Sequence, residues 1–231
     1  MGSGNILFRP EGAAITPNEI QEKIAAFTYK KATQEIVEKS KELDKDGEVF
    51  FRCTARILSN FKMTRTGPFK GVGIGSNGDV IGRKILLPCW NEIGNDLITI
   101  RKSVRQSGYS RDRYLLELSD VERERLVAQI WAMTKRLLPF TMGNTSWGLV
   151  GAGKILFAVL PEIVLPVDNQ QWRELFKTVD LGDVINRMVT DIEQWENVTQ
   201  RRLNEVDQSK TLTTLPSVYN VMTMDARQKK N

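Results

Sequence analysis

Trp147-Gly148-Leu149-Val150-Gly151-Ala152-Gly153-Lys154, running on to Pro166-Val167-Asp168, is the stretch whose reading decides both fold and function. Glycines, a lysine and an acid fall close together here. Two glycines one residue apart allow a tight bend and let backbone approach a ligand with no Cβ in the way. The apolar run Ile155-Leu156-Phe157-Ala158-Val159-Leu160 reads as a buried helix. Gly151 and Gly153 then stand at its N-terminus, where unpaired N–H groups and the helix dipole favour an anion. Lys154 adds a point charge beside that anion. Asp168 follows Pro166, where its carboxylate either caps the next helix or acts as an acid/base group.

The chain around this stretch reads as scaffold. Upstream, Ser119-Asp120-Val121-Glu122 is a capping box, and Val121, Leu126, Val127, Ile130, Met133, Leu137 and Leu138 line the buried side of the helix it opens. Pro139 ends that helix, and residues 141–146 form a loop into the opening motif. Earlier, Thr16-Pro17-Asn18-Glu19 makes a second capping box with proline at the first helical position. Its helix is expected to reach about Asp44, and a further helix fits residues 48–61. Downstream, residues 170–176 suit a short helix, Asp183 opens a long one through Val206, and residues 215–222 form a short docked helix. The tip at 227–231 is basic. Residues 1–15 read as a flexible lead-in, with Ile6-Leu7-Phe8 as a patch that docks on the body.

Residues 69–87 change character. Gly71, Gly73, Gly75, Gly78 and Gly82 interleave with Val72, Ile74, Val80, Ile81 and Ile85. Asn77-Gly78 is the preferred pair for a type I′ turn, so a small β-hairpin is expected. A nucleotide-binding loop is the sharper alternative, but the spacing matches neither a Rossmann fingerprint nor a P-loop. Asn91 caps the following helix, whose polar side carries Arg101, Lys102 and Arg105. With Arg111, Arg113, Tyr109 and Tyr114 these make a candidate nucleic-acid surface, against the plainer reading of a solvated helix face.

Composition narrows the chemistry. The 231 residues carry a net charge of +5, which permits a polyanion partner. There is no histidine, so Ser-His-Asp and Cys-His triads and HExxH metal sites are excluded. Cys53 and Cys89 are too few for a disulfide framework or a cysteine zinc site. They point to a reduced, cytoplasmic setting. No apolar run reaches the roughly 18 residues that span a bilayer, and the N-terminus lacks a signal-peptide pattern. No cofactor and no metal site is expected.

The fold class expected is mainly α with a small β-hairpin: a helical, bundle-like domain over 16–231, with 16–115 and 116–231 as two conceivable lobes. The segment Leu149-Val150-Gly151-Ala152-Gly153-Lys154, its apolar helix and Val167-Asp168 resemble the helix-hairpin-helix region of the helix-hairpin-helix DNA glycosylase superfamily, over residues 140–172. The resemblance implies a hairpin between two helices, with Gly151 and Gly153 gripping a DNA phosphate through their amides. It implies Asp168 as the family's aspartate in base excision. Lys154 stands one place from the catalytic lysine of lyase-type members.

The function expected is therefore DNA binding, with glycosylase-like processing if the protein is an enzyme. Asp168 and Lys154 are its candidate catalytic residues. Gly151, Gly153, Lys154, Arg101, Lys102 and Arg105 are its nucleic-acid contacts. One alternative is a metal-dependent nuclease built on Glu48, Asp79 and Glu92 with Lys84. Another is a non-enzymatic helical interaction module.

Overall fold

Both capping boxes form. In the computed structural model, which describes residues 4–210, 212 and 214–228, Thr16 Oγ1 accepts from the Glu19 amide while Glu19 Oε2 accepts from the Thr16 amide at 2.9 Å. They open α1 (Pro17–Ala26). The expected single helix to Asp44 is divided: Phe27–Tyr29 break it, and α2 (Lys30–Lys39) follows. Helix α3 (Glu48–Asn60) lies where the periodicity placed it. Then come α4 (Ser76–Gln106), α5 (Tyr114–Glu117) and α6 (Asp120–Leu137), the last opened by the Ser119–Glu122 box. Helices α7 (Ser146–Val159), α8 (Leu181–Thr199) and α9 (Leu215–Gln228) complete the chain. The side chains of the basic tip at 227–231 and residues 1–3 lie outside the described residues.

The expected β-hairpin at 69–87 is replaced by helix. Leu86, Cys89, Ile93, Leu97, Ile100 and Val104 are all buried. Their spacings of three and four fit one face of α4, and that tertiary burial outweighs the turn preference of Asn77-Gly78. The glycines that need special backbone come just before the helix, with φ +83° at Gly71 and +116° at Gly75. The isolated bridge between Phe8 and Ala14 is the β-pairing found among the described residues.

The expected helix-hairpin-helix turn is also replaced. Residues 147–154 sit inside α7, which runs unbroken through both glycines. Every residue from Gly148 to Val159 is buried. A helix apolar on all sides belongs in the middle of a bundle, and α7 packs against α2, α3 and α6. Its glycines serve packing. A Cβ at Gly148 would lie 1.9 Å from the Gly143 carbonyl oxygen, and one at Gly151 would lie 2.9 Å from Thr141 Cβ. The 141–143 connection can lie on α7 only because these side chains are missing.

The buried apolar residues form one cluster reaching from Ile6 to Met222. Residues 5–15 are fastened to α8: the Ile6 amide donates to Asp191 Oδ2 at 3.1 Å, and Trp195 Nε1 donates to the Ile15 carbonyl at 2.7 Å. Among the described residues no helix is long and apolar enough to cross a membrane.

Candidate functional site

The residues singled out from the sequence do not converge on an open site. Lys154 is 4% exposed, and its Nζ lies 4.0 Å from the centroid of the Phe61 ring. A cation on an aromatic face inside a bundle is a packing element first. Asp168 Oδ1 accepts from the Gln171 amide at 2.8 Å, and Gln171 Oε1 accepts from the Asp168 amide at 2.6 Å. This reciprocal pair is the helix cap of the two readings. Gly151 and Gly153 are buried mid-helix, so their amides are already used within α7.

The expected basic face of α4 divides in two. Arg101 is 2% exposed and buried against Glu162 and the Val159 carbonyl. Arg111 reaches the same carboxylate at 3.2 Å and also donates to the Val37 carbonyl and Ser40 Oγ. Desolvation pulls the Arg101 guanidinium below its ordinary pKa, while Glu162 pulls it back up. This buried triad joins α4 to the end of α7 and is structural. Arg113 is likewise engaged, bidentate to Glu196 at 2.7 and 2.8 Å. Lys102 and Arg105 remain exposed, and Arg105 donates to the Lys41 carbonyl.

The free positive charge lies elsewhere. Residues 48–84 hold seven cations and two acids, which equals the whole chain's +5; the remainder of the chain is balanced. Of those seven, Arg56 pairs with Glu35 at 2.9 Å and Arg83 clasps Glu48 at 2.5 and 2.6 Å. Arg52, Lys62, Arg65, Lys70 and Lys84 are exposed and make no ion pair among the described residues, though Arg52 helps to lower the Glu48 pKa. They stand on α3, on the connection 61–75 and on the first turns of α4. These parts touch: α3 packs on α4, and the Gly71 amide donates to the Thr64 carbonyl at 3.0 Å.

Two adjoining hollows mark this face. A cleft of about 280 Å³ is walled by Lys39, Arg52, Arg56, Glu35, Ile74 and Asp79. A groove of about 210 Å³ beside it shares Arg52 and Asp79 and adds Gly73, Gly82 and Arg83. The glycine loop 71–75 enters the N-terminus of α4, where Gly75 supplies no side-chain cap. First-turn amides and exposed cations around the hollows suit the oxygen atoms of phosphate groups, while Asp79 in both walls and Glu35 in one oppose an anion inside the hollows themselves. Ile74, Val80, Ile81 and Leu87 are exposed on the same segment, from 39% to 69%.

The acids proposed for metal chemistry do not gather. Glu48 is occupied by Arg83, and among the described residues no group of three acids or cysteines is placed to hold a metal ion. Cys53 and Cys89 are buried, and desolvation pushes each thiol up to about 12. Net charge summed in windows, not glycine spacing, singles out the 48–84 segment. No protein-family model, no curated protein and no solved structure matches the chain.

Proposed function

We propose that the protein binds nucleic acid through the α3–α4 segment, with DNA phosphates held by Arg52, Lys62, Arg65, Lys70 and Lys84. The observation that carries this reading is the net charge of +5 on residues 48–84, five of whose seven cations are exposed and make no ion pair among the described residues. Unpaired surface cations bind a phosphate backbone by displacing condensed counterions, a sequence-independent attraction. The 71–75 loop and the start of α4 add backbone donors at the same place. Base excision does not belong to the proposal, since Lys154 is buried and Asp168 is committed to a cap.

The test is the salt dependence of duplex DNA binding. Each phosphate contact contributes about −0.9 to the slope of log K against log salt. Replacing Lys62, Arg65 and Lys70 together by alanine is expected to flatten that slope by about 3. Equal replacement of the balanced cations Arg9, Arg123 and Arg136 leaves it unchanged. A salt-independent titration, or identical slopes for the two triple variants, overturns the reading.

A second reading, a docking surface for another protein, is favoured by the exposed Ile74, Val80, Ile81 and Leu87. It predicts that serine at Ile74 and Val80 leaves DNA binding intact and weakens a protein complex.

A further inference from the structure

We propose that the cationic connection between α3 and α4 holds a single DNA strand, one of whose unpaired bases stacks on the indole ring of Trp147. The inference rests on the reading of residues 48–84 as a phosphate-binding surface. Of the chain's five tryptophans, Trp172 and Trp195 are buried, Trp90 and Trp131 are half-buried, and Trp147 is 55% exposed. Tryptophan is highly buried on average, because its ring carries a large apolar area. Met142, five residues earlier, is 53% exposed. Two large side chains kept in water close together along the chain mark a contact surface.

The packing of α7 places that surface against the cations. Trp147, Gly151 and Lys154 are spaced by four and three residues, so they share one face of the helix. The connection 61–75 lies on this face. A Cβ at Gly151 would meet the Phe69 ring at 3.2 Å, and the Lys154 ammonium sits 4.0 Å from the centroid of the Phe61 ring. Trp147 stands one turn before Gly151, about 6 Å along the axis, and helical side chains lean towards the N-terminus. Its ring therefore emerges at the rim of the connection. Met142 reaches the same segment, its Sδ lying 3.9 Å from where a Cβ of Gly67 would stand. Residues 61–75 carry Lys62, Arg65 and Lys70 and no acid, and residues 138–147 carry no acid either. Cations that follow a sugar-phosphate backbone, with an aromatic face at their edge, are the combination that holds single strands. Within a duplex the bases stay stacked on one another and out of reach of such a ring.

The test measures binding of the full chain to a labelled thymidylate strand and to a duplex of the same length, by fluorescence anisotropy at several salt concentrations. Trp147→Ala is expected to weaken single-strand binding by about 5- to 150-fold, the loss that follows removal of one stacked base. It should leave duplex affinity and both salt slopes unchanged, since no phosphate contact is removed. Trp147→Phe, which keeps an aromatic face, should retain most of the single-strand affinity. Tyr109→Ala, at the opposite end of α4, should change neither. The strand should quench tryptophan fluorescence in the parent and not in Trp147→Ala. Trp147 lies outside the core, so its variants should melt with the parent. Equal loss for strand and duplex, or no loss for either, overturns the stacking while leaving the phosphate surface standing. A self-dimer of the parent that Trp147→Ala abolishes also overturns it, assigning the ring to a second copy of the chain. Replacing Lys62, Arg65 and Lys70 together without effect on either DNA removes the phosphate surface, and the stacking proposal with it.

Discussion

Alanine at Gly151 and at Gly153 has opposite consequences in the structure, though the two positions are only two residues apart. Both glycines lie within α7, and neither has a positive φ. Alanine in a helix interior is favoured over glycine by about 1 kcal/mol. At Gly153 the nearest atom to a new Cβ is the Leu165 carbonyl oxygen at 3.9 Å, an ordinary contact. Gly153→Ala should therefore stabilise the protein by about 0.4–1 kcal/mol. For a chain of this size that raises the melting temperature by roughly 2–4 °C per kcal/mol. At Gly151 the same methyl would sit 2.9 Å from Thr141 Cβ and 3.2 Å from Phe69 Cε2. Overpacking a filled core costs about 1–3 kcal/mol, which cancels or exceeds the helix gain. The two variants should differ by about 1–3 kcal/mol, with Gly153→Ala the more stable. Thermal melts followed by circular dichroism, with urea titrations as a second measure, read the difference directly. A hairpin with left-handed glycines would give the contrary pattern, since alanine there is strained by about 1–2 kcal/mol per residue. Loss of stability in Gly153→Ala, equal to that in Gly151→Ala, refutes the helix reasoning.

The remaining expectations concern charge and thiols. Glu162→Gln leaves Arg101 and Arg111 facing a neutral amide in the interior, and breaking a buried pair this way costs about 3–5 kcal/mol; a urea midpoint within error of the parent's would contradict the triad's role. Cys53 and Cys89, with thiols at about 12, should stay unlabelled by a thiol reagent at pH 8 and react only at the rate of unfolding; prompt labelling of either counts against their burial. Glu19 is held at about 2 by the Thr16 amide, Arg9 and the Thr16 hydroxyl, against a usual 4.5. Its folded pKa is depressed, so its stabilising contribution is complete above about pH 4.5 and disappears as pH falls towards 2. The pH dependence of the Glu19→Gln melt should be flatter than the parent's across that window, and an unchanged profile would show the cap to be inert.

Local chemistry was legible in the residues themselves. The boxes at Thr16–Glu19 and Ser119–Glu122 are closed within four residues, so nothing distant can overrule them. Apolar spacing likewise marked α3, α6 and α8, because a helix buries the same face wherever it docks. The Asp168 cap belongs here too, its partner Gln171 being three residues away. Glycine is a different matter. It permits a turn, a left-handed residue or a close helix contact equally well, and the sequence does not say which. At Gly148 and Gly151 the choice was made by the 141–143 connection crossing α7, and at residues 76–87 by the buried face of α4. The same holds for Arg101, whose charge is plain in the sequence but whose burial depends on Glu162, 61 residues later. Sequence alone thus set the capping boxes, the helices with regular apolar spacing and how much charge the chain carries. Tertiary packing decided which glycines are filled space and which cations remain free, because both depend on neighbours remote along the chain.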